Sequence, residues 1–413
     1  MKNLFIKARA LICLGAVWFI LPSLASAQTK IQFDEALRMA KANAPELSEA
    51  QANIVVAQAQ VDASDDWRSN PTLSVSSGPR FGNDTSLDVM IGLEMPIVFG
   101  ATLDSQTGVA SAAEQVARTE RDHQEQVAVV ATAQAFANTL YWQYRVEIAT
   151  DNLKLITEIE TVAAARKAAG DSGALESSLA VLSRHRAQAD IARFEAARLD
   201  AVGLLRWLIG LDAGVELAVE GDLKILANTG RMPADHDRAD VVVAKAKIAE
   251  AKASQDLAAN AKVPELSLGA EGGIEEHSTL LRATLAITLP IIWRGASDIQ
   301  VGIAREQAQL GQTQVLEKRV KHQTQVAEQK VRLLNSTLEA FGNEGIPEAR
   351  KAAEIANATY RAGAMPLADL LVVRRELVSA EEQFAELMLL AALARIEALA
   401  STGAINSIIQ NDN

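Results

Sequence analysis

One passage of this chain, residues 71–100, is written twice, and that repeat restricts the possible folds more than any other feature. Pro71-Thr72-Leu73-Ser74-Val75 returns as Pro264-Glu265-Leu266-Ser267-Leu268. Leu93-Glu94-Met95-Pro96-Ile97-Val98-Phe99-Gly100 returns as Ile287-Thr288-Leu289-Pro290-Ile291-Ile292-Trp293-Arg294-Gly295. The offsets agree, 264 − 71 = 193 and 290 − 96 = 194. A period of this size means one architectural unit built twice, so it has to be read before any single element.

Each copy predicts a pair of strands. Over residues 86–95, Leu87, Val89, Ile91, Leu93 and Met95 are apolar, with Ser86, Asp88, Gly92 and Glu94 between them and Met90 as the exception. In the second copy Leu281, Ala283, Leu285, Ile287 and Leu289 alternate with Arg282, Thr284, Ala286 and Thr288. Period two gives one apolar and one polar face. A soluble sheet packed on a helix produces the same alternation, but two features favour a membrane. The strands have the roughly 9–11 residues that a tilted strand needs to cross hydrocarbon. Trp67, Phe99 and Trp293 flank the strand pairs, where an aromatic girdle would lie at the membrane interface.

The N-terminus carries a third. Residues 1–27 combine Lys2, Lys7 and Arg9, an apolar core from Ala10 to about Leu24, and Ala25-Ser26-Ala27, the pattern of a cleavable secretory signal peptide. Cys13, the single cysteine, lies inside it and follows Ile12 rather than a small residue, which argues against lipid anchorage. Beyond Ala27 neither disulfides nor thiolate metal sites are available. No later stretch approaches the eighteen or so apolar residues of a membrane helix, so any membrane crossing is by strands. The formal net charge of −12 disfavours nucleic acid as a partner.

The rest reads as helix. Residues 33–42 and 45–63 form two short helices. From residue 104 to 169 there is no proline and one isolated glycine, Gly108, which predicts a helix of roughly 100 Å. Ile148, Leu155, Ile159 and Val162 follow three-four spacing within it, so it expects a coiled-coil partner. Gly170-Asp171-Ser172-Gly173 breaks it, and a return helix over 175–208 makes a hairpin. In the second copy helices over 240–261 and 297–340 flank the strands, Gly342, Gly345 and Pro347 interrupt the latter, and a second tip at Ala362-Gly363-Ala364-Met365-Pro366 precedes a last helix over 367–399. The tips are also 193 residues apart, 363 − 170, and each glycine is followed six residues later by an acid, Glu176 and Asp369. The chain divides into a signal peptide (1–27), a first repeat (28–211), a connector (212–236), a second repeat (237–404) and a tail (405–413).

Two strand pairs give four strands, which cannot close a barrel alone. Unpaired backbone groups in lipid cost several kcal/mol each, and closed membrane barrels start at about eight strands. Such a chain must oligomerise, and three copies would supply twelve strands. The fold class is therefore mainly α with a small transmembrane β part.

With the doubled Pro-x-Leu-Ser strand starts, the doubled strand exits and the tip pattern running from Tyr360-Arg361-Ala362-Gly363 through Asp369-Leu370-Leu371 to Arg375-Glu376-Leu377, the chain resembles the TolC family of outer-membrane efflux ducts over essentially its whole mature length. The resemblance implies a homotrimer with a twelve-stranded barrel in outer-membrane lipid and a helical tunnel across the periplasm. Its tip would dock a periplasmic adaptor and an inner-membrane resistance-nodulation-division pump. The compact length and absent lipidation cysteine resemble the CzcC/CnrC-like heavy-metal branch, which implies export of cobalt, nickel, zinc or cadmium; drug-efflux members share the same motifs.

The candidate functional residues lie at the tips. Glu176 and Asp369 would form rings of negative charge at the tunnel entrance, or simply favour the first turn of their own helices through the dipole. Arg374 and Arg375 would pair with acids on neighbouring helices or lie on a solvated face. Gly170, Gly173 and Gly363 supply the tight turns. Tyr360 either plugs the entrance or packs. His123, His185, His236, His277 and His322 are scattered without zinc-like spacing. Asp235-His236-Asp237 reads as a polar loop, and His277 beside Glu275 and Glu276 falls in a predicted outer loop. No metal site, cofactor or catalytic motif is expected. Two other classes are a periplasmic adaptor, which has one hairpin flanked by β domains, and a structural periplasmic coiled coil, which would not need apolar strand faces; fractionation decides both.

Overall fold

The computed structural model describes residues 29–64, 70–81, 86–97, 100–170, 174–228, 238–260, 262–275, 278–289 and 295–406. Residues 1–27, where a signal peptide is expected, and Trp67, Phe99, Gly173, Asp235, His236, Asp237, His277 and Trp293 lie outside them.

The chain begins with β1 (Thr29–Ile31), α1 (Phe33–Asn43) and α2 (Pro45–Ser64), then crosses β2 (Thr72–Arg80) and β3 (Ser86–Ile97). The longest element, α3 (Gly100–Ala168), has 69 residues, about 100 Å at 1.5 Å per residue. Its partner α4 (Ala174–Leu208) runs back along it. The seam on α4 is legible in Ala180, Ala187 and Phe194, buried at seven-residue intervals as in a coiled coil. The connector holds β4 (Leu217–Val219) and α5 (Leu223–Asn228). The second repeat then supplies α6 (Ala239–Asn260), β5 (Glu265–Glu275), β6 (Ser278–Thr288), α7 (Ala296–Ala340), α8 (Ile346–Arg361) and α9 (Leu367–Ser401).

The four long strands form one antiparallel sheet in the order β2-β3-β5-β6. Its middle seam joins the two repeats, from Val89 opposite Ile274 to Ile97 opposite Leu266. Alternation along the strands places Leu73, Val75, Leu87, Ile91, Leu93, Leu268, Leu281 and Leu285 on one face. That face is uncovered, with Leu73 67% and Leu281 84% exposed.

The main core lies midway, where β1 pairs in parallel with β4 and α1, α3, α4, α5 and α9 converge. Val129, Ala133, Phe136 and Leu140 of α3 follow four-three-four spacing and are all buried there. Farther along the same helix, Ile156, Ile159 and Ala163 enter a separate core at the tip. The β1–β4 pair was not foreseen, because three-residue strands carry too little pattern to be seen in sequence.

The expected interruption at Gly342, Gly345 and Pro347 is corrected by the structure. The chain stays helical through a π turn, Phe341–Gly345, directly into α8. A proline ring clashes with the carbonyl four residues back and removes a hydrogen-bond donor; one widened turn accommodates both. Gly342 lets α9 approach, since a Cβ there would lie 2.9 Å from the Phe384 ring.

Candidate functional site at the paired hairpin tips

Both hairpins turn on a glycine in the left-handed region, Gly170 at φ 81° and Gly363 at φ 77°. The Gly170 N–H donates to the Lys167 carbonyl at 3.1 Å and the Gly363 N–H to the Tyr360 carbonyl at 2.9 Å. At the second tip Ala364 N–H also donates to the Thr359 carbonyl at 3.1 Å, completing a Schellman-type cap. The expected need for φ > 0 is thus met at both described glycines.

The two tips share one apolar core, made of Ile156, Ile159 and Ala163 of α3, Ala180 of α4, Ala356 and Tyr360 of α8, and Leu367 and Leu370 of α9. Tyr360 is 1% exposed, so it packs and does not plug. The Arg166 guanidinium sits 5.3 Å from its ring centroid, a cation–π contact linking the repeats. This contact escaped the sequence reading because the two residues lie on different hairpins.

Glu176 stands in the first turn of α4, yet its carboxylate does more than complement its own helix. One oxygen accepts from the backbone N–H of Leu367 at 3.4 Å. Leu367 is the first residue of α9, where the helix dipole is positive. The other carboxylate oxygen is buried without a partner among the described residues. The acid of the first tip therefore clasps the helix that leaves the second. Asp369, its counterpart, is exposed in the first turn of α9.

Arg374 and Arg375 part company. Arg375 is exposed on the solvated face. Arg374 is 7% exposed, and the expected ion pair with an acid on a neighbouring helix is absent among the described residues; its Nε has no partner there. Burial lowers its pKa from the ordinary arginine value, while the Glu381 and Glu158 carboxylates pull the other way. Its guanidinium lines a groove of about 370 Å³ together with Tyr144, Glu147, Asp151, Arg350 and Glu381. Ion pairs tie the surrounding helices: Arg361 to Glu158 at 3.3 Å, Arg184 to Glu160 at 2.7 Å and Arg145 to Glu382 at 2.6 Å. Among the described residues no group of three or more histidines or carboxylates could hold a metal, and no helix is long and apolar enough to cross a membrane.

A long helical stalk ends in the clasped double tip, and the other end of the stalk carries a sheet with a bare apolar face. Residues 36–211 match the model of the outer membrane efflux protein family. The chain is 24% identical to the pyoverdine export outer membrane protein OpmQ of Pseudomonas putida, over 87% of this chain and 83% of that protein. Its fold matches crystal structures of CusC (TM-score 0.75, 18% identity, 90% of this chain and 92% of the other). It also matches the open state of the Neisseria gonorrhoeae MtrE outer membrane channel (0.73, 20%, 90% and 88%).

Proposed function

We propose that three copies of this chain close a twelve-stranded barrel in the outer membrane, with the helices continuing as a periplasmic tunnel. The observation that carries this reading is the sheet. Its apolar face is uncovered, and β2 and β6 end it with unpaired edges, which lipid penalises by several kcal/mol per backbone group. Joining β6 of one copy to β2 of the next removes every edge. The clasp of Glu176 on Leu367 ties the two tips of one chain together, with the exposed Asp369 available to form a charged ring at the entrance. A periplasmic adaptor and an inner-membrane resistance-nodulation-division pump would dock at that end and supply cargo and energy.

For cargo, divalent metals remain the expectation raised by the resemblance to the heavy-metal branch. A second reading, an organic cargo, is favoured by the likeness to a pyoverdine exporter. Two experiments test the proposal. Fractionation should recover a detergent-resistant trimer from the outer membrane, and a soluble or inner-membrane protein overturns the duct. Growth of a deletion strain on graded cobalt, nickel, zinc and cadmium beside dyes, antibiotics and siderophores decides the cargo. Sensitivity confined to metals supports the first reading; sensitivity confined to organic compounds supports the second.

A further inference from the structure

The polar face of the sheet is not uniform. Beside the helices it carries Thr72, Gly269, Thr284, Ala286 and Thr288, with Glu94 and Glu265 as its charged positions. Of the two arginines of the described strands, Arg80 stands at the opposite end, where β2 leads to β3, and Arg282 lies four residues in from that end of β6. There a continuous ladder of ion pairs crosses all four strands. Arg80 donates to Asp88 at 2.9 Å and also bridges to Glu275, while Arg282 binds Glu271 at 2.6 Å and approaches Glu275 at 3.7 Å.

Register explains why these groups meet. Glu271 stands directly opposite Arg282, so their side chains share a face. Val89 stands opposite Ile274, so one step further out Asp88 and Glu275 come side by side across the seam between the repeats. Two adjacent carboxylates repel, and Arg80 reaches both. The ladder holds three carboxylates and two guanidiniums, a net charge of −1 per chain.

We infer that this ladder is the ion-selective element of the duct's outer mouth, giving a weak preference for small inorganic cations over anions, and that Arg80 is the residue that limits the preference. The inference rests on the duct reading: with the apolar face in lipid, the polar face lines the lumen, and three ladders surround the exit as a collar of charge. Rings of side-chain charge set ion selectivity in pores. Here the carboxylates are mostly neutralised in place, so removing one arginine doubles the net charge of the ladder from −1 to −2 per chain.

The test uses full-length trimers in planar bilayers with dilute KCl on the outer side. Arg80→Gln should raise the potassium-to-chloride permeability ratio several-fold, read as a shift in reversal potential. Arg80→Lys, which keeps the charge, should stay close to wild type. Glu271→Gln, which leaves both Arg80 bridges intact, should shift the potential the opposite way; it carries the test should Arg80→Gln not assemble. The shifts should fade near 1 M salt, where charges are screened beyond about 3 Å, whereas a purely structural role would not respond to salt. Conducting wild-type pores whose selectivity neither substitution alters overturn the collar and leave the duct standing. A wild-type chain that forms no pore overturns the duct and the collar with it.

Discussion

The two hairpin tips have the same backbone and different side-chain duties. Both turn on a glycine at φ near +80°, and both bond that glycine N–H to the carbonyl three residues back. At that carbonyl position the first tip carries Lys167, exposed, and the second Tyr360, fully buried under Arg166. Six residues past the glycine the contrast reverses. Glu176 is half-buried against the α9 N-terminus, while Asp369 faces solvent. Duplication therefore supplied one turn twice, and packing the copies against each other made one the acceptor of the other's helix end. A residue's role in such a protein follows from which copy it faces, and not from its place within the copy.

The largest expected difference between the tips is at the position three before each glycine. Tyr360→Ala opens a cavity in the shared tip core and should cost about 3 kcal/mol, whereas Lys167→Ala should stay within about 0.5 kcal/mol. Chemical denaturation of the two variants checks this, and equal losses would remove the asymmetry. Next come the acids. Glu176→Gln should loosen the clasp by about 1 kcal/mol, the scale of a carboxylate at a partly buried helix N-terminus, and raise the open probability of single channels. Asp369→Asn should barely change stability but raise conductance or weaken block by divalent cations. The reverse pattern would make Asp369 the structural acid. The glycines sharpen the comparison from the other side. Gly170→Ala and Gly363→Ala should each cost about 1 kcal/mol, because both positions are left-handed and open, and a large inequality would mean the turns are not equivalent.

The smallest effect concerns pH. Burial, then the Glu381 carboxylate, raises the Tyr144 phenol above its ordinary value of 10.0. The stability this contributes is fully present below pH 10 and is lost as pH rises through the folded value. Thermal melts across the alkaline range should therefore fall less steeply in Tyr144→Phe than in wild type.

Much of the architecture was legible in the residues. The strand pairs, the 69-residue helix and the tip glycines follow from periodicity and from where glycine and proline stand. Helix ends fell within a few residues of expectation at both copies. The tip acids could be located by their common spacing, but not their partners: Glu176 meets Leu367, and Arg166 meets Tyr360, across nearly the full repeat length. The same holds for Arg374, whose neighbour Arg375 has the same charge and the opposite environment. One residue along a helix turns a side chain by about 100°, enough to exchange groove for solvent.

By itself the sequence determined what is local and periodic: the element order, the doubled plan, the apolar face of the strands and the positions where the chain must turn. Each depends on steric rules or on a repeat within a few residues, so no distant contact is needed to read it. The tertiary structure alone decided the sheet order that seams the repeats at β3 and β5, the π turn that carries α7 into α8 past Pro347, the clasp at the tip and the charge ladder across four strands. Those features depend on which surfaces meet when two similar halves pack, and residues some 190 positions apart carry no local signal of their encounter.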